Sequence, residues 1–281
     1  LLMKIRYLGT AAAEGFPAVF CNCAYCREAR GALTLERRTR SQVLIDGVLL
    51  VDFPPDTYLH SLAFGIDLSA VRALLVTHSH TDHFYAQEFV NRGYKFASGM
   101  REPVLDLYGN TEVRAVFEEG TRRELREDVA KGLRFHTVAP FDAFTAAGYD
   151  VIALPASHTP KEDALLYGIA KEGKTLLYLN DTGLPREGFY TFLAEKGICA
   201  DMVSLDCTQA DGPKSSSGRH MGFAENEIVR EKLVKYGVVK ADAKYYVTHF
   251  SHNSAPFRAR IAAAAAARGF IAAYDGLTVE L

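Results

Sequence analysis

Three imidazoles and a carboxylate fall within six positions in His78-Ser79-His80-Thr81-Asp82-His83. Neutral imidazole nitrogens and carboxylate oxygens are the donors that borderline divalent metals prefer. His78 and His80, alternating, can close on one ion while Asp82 and His83 turn toward a second. A lone His-x-His is ordinarily a polar loop and nothing more; the full string is not. It follows directly on Val71-Arg72-Ala73-Leu74-Leu75-Val76, an apolar run that reads as a buried strand ending in a polar loop.

The arrangement repeats along the chain. His158 follows Val151-Ile152-Ala153-Leu154-Pro155-Ala156, Asp181 follows Thr175-Leu176-Leu177-Tyr178-Leu179-Asn180, and His249 follows Lys244-Tyr245-Tyr246-Val247-Thr248. Each stands just past the end of a β-prone segment. Ligands at strand ends can converge on one edge of a rigid sheet. Taken singly, any of them is a capped loop or a satisfied core histidine. Together they read as one site.

These residues carry a resemblance to the metallo-β-lactamase superfamily of binuclear hydrolases. His78 to His83 match its H-x-H-x-D-H motif, and His158, Asp181 and His249 occupy its later ligand positions in order, so that the likeness spans the chain from the first strand to His252. The resemblance implies one metal on His78, His80 and His158, a second on Asp82, His83 and His249, and Asp181 bridging both. Asp82 is thereby also a catalytic residue. An aspartate rather than a cysteine at the bridge resembles the phosphodiesterase and lactonase branches.

A second constellation stands apart. Cys21, Cys23 and Cys26 form C-x-C-x-x-C, and His252 lies three residues beyond His249. Three thiolates and one imidazole make a closed tetrahedral zinc site of the structural type. This pattern resembles the phosphoribosyl 1,2-cyclic phosphate phosphodiesterase subfamily. The pyrroloquinoline quinone biosynthesis protein B family shares the cysteine feature and is the nearest competitor. Five cysteines in all is an odd number, which suits reduced thiols in a cytoplasm better than a disulfide framework. Cys199 and Cys207 adjoin the apolar run 201–206 and read as buried small hydrophobes.

The elements that must position these groups are legible in outline. Strands are expected near 3–8, 41–46, 47–53, 71–77, 103–108, 133–138, 142–147 and 149–156, with hairpin turns at Asp46-Gly47 and across Lys171-Glu172-Gly173-Lys174. Helices are expected near 55–64, 111–125, 186–197, 222–236 and 256–268, the last carrying an alanine run. Periodicity gives only α/β or α+β; the resemblance implies an α+β fold, the four-layer αββα sandwich, as one domain over 1–281. The chain's 281 residues, 48% hydrophobic, can bury a full core. The balance of 32 basic against 34 acidic side chains argues against a nucleic-acid backbone as the main partner. No apolar run approaches the ~20 residues needed to span a bilayer. The opening Leu1-Leu2-Met3-Lys4 meets charge too soon for a signal peptide. A soluble cytoplasmic protein is expected, with a homodimer as an open option.

Two segments are polar and turn-rich, 91–102 and 208–221, and loops of this length in a compact domain are often lids. The second carries Lys214, Arg219 and His220, which suit an anionic substrate. Arg37, Arg38 and Arg40 form a basic cluster that reads as solvated. Two divalent ions, zinc or manganese, about 3.5–4 Å apart lower the pKa of a shared water and neutralise phosphoryl oxygens. The expectation is therefore a phosphodiesterase acting on a small, possibly cyclic, sugar phosphate diester. Lys214 and Arg219 would hold phosphate, and His220, which matches a lid histidine of the phosphodiesterase branch, would protonate the leaving alkoxide. Ribonuclease Z-like tRNA processing, lactone or thioester hydrolysis, and a non-catalytic biosynthetic protein are the rival readings.

Overall fold

In the computed structural model, which describes residues 3–31, 36–254 and 257–281, the apolar runs become strands covered on both faces. Ala73 and Leu75 join one buried cluster and Leu74, between them, joins another. Leu176 and Tyr178 face one way, Leu177 and Leu179 the other. Successive strand side chains point to opposite faces, so a strand buried on both sides reads as unbroken apolar sequence. This is the physical reason that periodicity left the fold class open.

The first sheet takes β1 (Lys4–Gly9), β2 (Gln42–Ile45), β3 (Leu49–Val51), β4 (Ala73–Leu75), β5 (Leu105–Gly109) and β6 (Leu133–Thr137) in that spatial order. The second takes β7 (Ala143–Ala146), β8 (Tyr149–Pro155), β9 (Leu165–Lys171), β10 (Lys174–Leu179), β11 (Ala200–Asp206), β12 (Val239–Thr248) and β13 (Ile271–Ala272), also in order. The last strand, β14 (Thr278–Glu280), returns to pair with β1. Tyr7, Ile45 and Leu75 of the first sheet meet Val151, Tyr167 and Met202 of the second in a shared core. Val113 and Phe117 of the helix Thr111–Thr121 cover the outer face of the first sheet. Phe189, Val229 and Ile261, from the helices Glu187–Glu195, Phe223–Lys235 and Arg258–Ala266, cover the second. The layers are αββα. Each fully buried Leu, Val or Phe in them contributes about 1.5–3 kcal/mol of transfer free energy.

Strand direction is what gathers the site. β3, β4, β5 and β6 run parallel, as do β10, β11, β12 and β13. β8 and β10 are each antiparallel to β9 and so run the same way as one another. The C-terminal ends of β8, β10, β11 and β12 thus share one edge, with β3 and β4 delivering theirs to the same region. Both hairpin turns form as expected, with Asp46 (φ 49) and Gly47 (φ 74) in one and Glu172 (φ 50) and Gly173 (φ 76) in the other. Two consecutive left-handed residues match the right-handed twist of the flanking strands.

Several expectations need correction. Cys199 is exposed, because it sits on the turn before β11 rather than in the strand, while Cys207 is buried as expected. Arg38 is not solvated. It is 5% exposed, bonds Thr10 Oγ1 and the Ala273 carbonyl, and lies over the Phe250 ring. Arg40 pairs with Asp56. Segment 91–102 is fastened by Arg92, whose guanidinium donates to the carbonyls of Glu102, Pro103 and Gly132, and it contributes nothing to the candidate site. The helix Ala24–Gly31 was not anticipated. The expected helix start at 256 and the opening Leu1-Leu2 lie outside the described residues. Among the described residues, no helix is long and apolar enough to cross a membrane.

One buried histidine away from the site sets a pH response. His60, 1% exposed, donates from Nδ1 to Gln42 Oε1 at 2.6 Å, and its Nε2 lies 2.7 Å from Thr39 Oγ1. Burial lowers its pKa from 6.5 to about 4, with Asp56 opposing. The unfolded chain therefore binds a proton that the folded chain refuses between these values. Its contribution to stability is complete above about pH 6.5 and is lost as pH falls toward 4. A shift of this size corresponds to at most about 3 kcal/mol. Thermal melts of wild type and His60→Asn across pH 4 to 7 check this: the variant should lose less stability on acidification, and parallel curves would refute it.

Candidate metal centre

The string after β4 is shaped by side chains outside the candidate ligand groups. Glu162 accepts hydrogen bonds from the Ser79 amide and hydroxyl and from the Asn110 side chain. Ser79 is thereby fixed between His78 and His80, which point their ring nitrogens to the same place. His78 Nε2 lies 2.9 Å from His80 Nδ1, and His80 Nδ1 lies 3.2 Å from His158 Nε2. Asp181 Oδ2 is 3.4 Å from His78 Nε2, and Asp181 Oδ1 is 3.2 Å from His158 Nδ1. One ligand atom from each of these four residues fits within 4.8 Å of the others.

Asp181 is shared with a second group. Its Oδ2 lies 3.2 Å from His83 Nε2 and 3.7 Å from His249 Nε2, while Asp82 Oδ2 is 3.2 Å from His83 Nε2. Asp82, His83, Asp181 and His249 also place one ligand atom each within 4.8 Å. All seven residues singled out in the sequence converge here. His78, His83, His158, Asp181 and His249 are buried, and His80 is exposed at the mouth.

Carboxylates behind the ligands set the rings. Asp52 Oδ2 stands 2.7 Å from His83 Nδ1 and also accepts from the Thr77 hydroxyl. Thr208 Oγ1 is 2.8 Å from His249 Nδ1, and it donates to Asp206 Oδ2. Such outer partners fix which nitrogen faces a metal and how basic it is. Asp52 and Asp206 were missed in the sequence, although each follows an apolar strand just as Asp181 does. Asp52 (φ 65), Asp181 (φ 57) and His249 (φ 64) all lie in the left-handed region. Asp and His tolerate it better than most residues, yet three such residues at one edge is the strain that functional sites hold.

The donor set fits divalent cations. Asp181 Oδ1 is buried and makes no hydrogen bond of proper geometry, although His158 Nδ1 and His220 Nδ1 lie within 3.2 Å of it. A buried carboxylate oxygen crowded by nitrogens yet bonded to none is arranged for a cation. Burial alone would raise the Asp181 carboxyl; facing imidazoles, His249 foremost, hold it well below the usual carboxylate range. Burial pushes the His78 imidazole down, keeping it in the neutral, ligating form.

His220 enters from the loop after β11. Its Nδ1 is 3.0 Å from Asp181 Oδ1 and 3.4 Å from Asp206 Oδ2. Burial works against its charge, but the two carboxylates outweigh it and raise it to about 10. The loop is seated closely: a Cβ on Gly183 would stand 1.8 Å from the Gly218 carbonyl oxygen. Arg219 lines a cleft beside His158, whereas Lys214 is exposed and is not among the residues that line it.

The outer cluster also assembles. Cys21, Cys23, Cys26 and His252 each offer an atom within 4.8 Å, with His252 Nδ1 3.8 Å from Cys23 Sγ and 3.6 Å from Cys26 Sγ. Zinc–sulfur and zinc–nitrogen bonds of about 2.3 and 2.0 Å at a tetrahedral centre put such atoms about 3.5 Å apart. Backbone amides of Ala18, Cys23 and Cys26 point at the three sulfurs. The Cys26 amide and His252 draw Cys23 down to about 6, while burial pushes Cys26 up to about 11. A cation among the sulfurs would allow both to be thiolates at once.

Comparison with known proteins bears on the family and the fold. A family profile described as the beta-lactamase superfamily domain matches residues 42–250. The coenzyme PQQ synthesis protein B of an Azoarcus strain is 25% identical over 99% of this chain and 100% of its own. The crystal structure of a diphosphatase of the PhnP family superposes with a TM-score of 0.75 at 23% identity, covering 100% of this chain and 98% of that one. Zinc-bound PqqB from Methylobacterium extorquens gives 0.69 at 20%, covering 99% and 100%. At these identities the two structures establish a shared fold.

Proposed function

The chain belongs to the metallo-β-lactamase superfamily, whose members include metal-dependent hydrolases, and from that premise we propose that it is a phosphodiesterase acting on a small sugar phosphate diester. The observation that carries this reading is the pair of ligand groups sharing Asp181, with His220 3.0 Å from that same carboxylate. His78, His80, His158 and Asp181 would hold one divalent ion, and Asp82, His83, Asp181 and His249 the other. When bound, such a pair supplies hydroxide at neutral pH and neutralises charge on phosphoryl oxygens. The chain's own residues do the rest. Asp52 and Asp206 aim the ligating rings. Arg219, at the cleft beside His158, offers planar donors to a phosphate oxygen. Lys214 adds positive charge on the same loop. His220, beside Asp181 and Asp206, would give a proton to the departing alkoxide.

Retention of all seven ligands supports catalysis over a purely non-catalytic role. The near-balance of charge favours a small substrate over tRNA. A role in coenzyme synthesis is the second reading, motivated by the full-length similarity to PQQ synthesis protein B. A panel of a phosphodiester, a lactone, a thioester and a precursor tRNA, each with added manganese or zinc, separates these. Phosphodiester turnover should dominate; faster lactone or thioester cleavage overturns the proposal, and no turnover at all favours the second reading.

The role of His220 has its own readout. A positioned general acid contributes on the order of 10²–10⁴ when the leaving group needs a proton. His220→Ala should lower kcat by about that factor for an alkyl leaving group and by less than about tenfold for nitrophenolate. Equal losses for both would remove His220 from proton transfer.

A further inference from the structure

His158 forms part of the inner wall of a cleft of 690 Å³ that extends away from the ligand cluster. This is far more room than a phosphoryl group and a methyl arm require, and it is of the size that holds a whole small-molecule ligand. His158, one of the seven candidate ligands, lines it, so the cleft opens beside the ligand cluster. Its walls come from unrelated segments: the turn 139–142, the end of β8 and the residues after it, the start of the helix Glu187–Glu195, and Ser217 to Arg219.

Two features of those walls are unexplained by the fold. Phe141 is 47% exposed on the rim and holds φ at 76, in the left-handed region that a bulky side chain seldom adopts. Its amide donates to the Ala153 carbonyl and its ring meets Phe192 edge-on at 4.5 Å, so the strained conformation is locked. An aromatic ring kept at the surface at this cost offers a stacking platform. Arg186, just before the helix, and Arg219, on the loop, both line the cleft, are exposed, and have no ion-pair partner among the described residues. Guanidiniums free of ion-pair partners suit the oxygens of a phosphate dianion. The cleft also holds two carboxylates. Glu162 is occupied by Ser79 and Asn110; Asp163 is exposed and free to accept hydroxyl protons.

We infer that this cleft is a subsite for one arm of the diester, and that the arm is a nucleoside bearing a second phosphate, its base on Phe141 and its terminal phosphate between Arg186 and Arg219. The assignment rests on the phosphodiesterase reading and adds the substrate class to it. A mononucleotide arm needs only the cations of this cleft, in keeping with a chain whose overall charge does not suit a long nucleic acid.

Three probes with the same leaving group isolate the arm: methyl p-nitrophenyl phosphate, p-nitrophenyl thymidine 5′-phosphate, and the latter carrying a 3′-phosphate. With the metal-loaded protein, kcat/KM should rise along this series. Arg186→Ala should lower it about tenfold for the 3′-phosphorylated probe and leave the methyl ester unchanged. Phe141→Leu should lower both thymidine probes by about five- to tenfold, the lower end of what base stacking contributes. Direct binding of thymidine 3′,5′-bisphosphate, measured by calorimetry, should weaken about tenfold in Arg186→Ala. Equal kcat/KM across the three probes, or equal losses on all of them in the variants, overturns the subsite while leaving the phosphodiesterase reading intact. Bisphosphate binding that depends on Arg186 and Phe141, with no hydrolysis of any diester, upholds the subsite and overturns that reading instead.

Discussion

Asp181→Asn should cut kcat/KM by about a thousandfold or more and remove the inner pair of ions while leaving the fold in place. Asp181 is the one side chain common to both inner ligand groups. Its Oδ2 faces His78, His83 and His249, and its Oδ1 faces His158 and His220. Replacing the carboxylate by an amide keeps the shape and removes the charge that two cations would share. Outer-sphere partners alone change metal affinity or activity about 10–100-fold, so a shared inner ligand must exceed that. The backbone argues for Asn as the cleaner test. At φ 57 Asn is tolerated, whereas Ala adds roughly 1–2 kcal/mol of left-handed strain. Asp181→Ala should therefore lose the same activity and melt slightly lower. Elemental analysis should find the inner metals depleted in both variants and the outer zinc retained. Wild-type turnover in either variant would end the dinuclear assignment.

The residues that converge at the candidate centre are legible in the sequence because their chemistry is rare at the ends of apolar runs. His78, His80, His83, His158 and His249 are imidazoles where a strand should simply stop. Asp52 and Asp206 end strands in the same way, yet a lone aspartate after an apolar run is also an ordinary turn residue, and only the folded contacts to His83 and His249 separate the two. Arg38 was misread for a similar reason. Its neighbours Arg37 and Arg40 suggest a solvated patch, and nothing local announces that Thr10, Ala273 and Phe250 close over it. The first half of β12, Val239 to Ala243, has no buried residue and carries no alternation, so its sequence does not mark a strand; Val239 pairs with Ala200 of β11, and the ladder resumes at Lys244. The helix Ala24–Gly31 carries no apolar stripe that would mark it in the sequence, since only Cys26 and Ala29 of its residues are buried. The cleft lined by Phe141 and Arg186 left no sequence trace, since segments far apart in the chain build it.

Cys23→Ser should lower the melting temperature by on the order of 10 °C and reduce turnover about tenfold, although Cys23 lies outside the inner cluster. Zinc bound by thiolates drawn from separate parts of a chain contributes its binding energy to folding. Here the cluster joins the N-terminal segment 21–26 to His252, near the opposite end. Losing one thiolate weakens the closed site by several kcal/mol, and about 3–5 kcal/mol shifts the melting of a chain this long by roughly that many degrees or more. The effect on turnover is smaller because the loop has other anchors. Glu14 Oε1 accepts from the Ser251 hydroxyl and the His252 amide, and Phe250 is bonded through its backbone to Thr10 and Ala12. These hold the segment in place but not the tilt of the His249 ring, which depends on Thr208, itself bonded to Ser251 and Ser254. Releasing His252 loosens that chain at its far end. Glu14→Gln, which keeps the cluster and weakens only the carboxylate bonds, should cost less stability than Cys23→Ser. Metal analysis should show Cys23→Ser deficient in one ion and still loaded with the inner pair, the mirror image of Asp181→Asn. A wild-type protein with no tightly held zinc beyond the inner pair, or a Cys23→Ser variant unchanged in both melting and turnover, would refute the outer site and its link to His249.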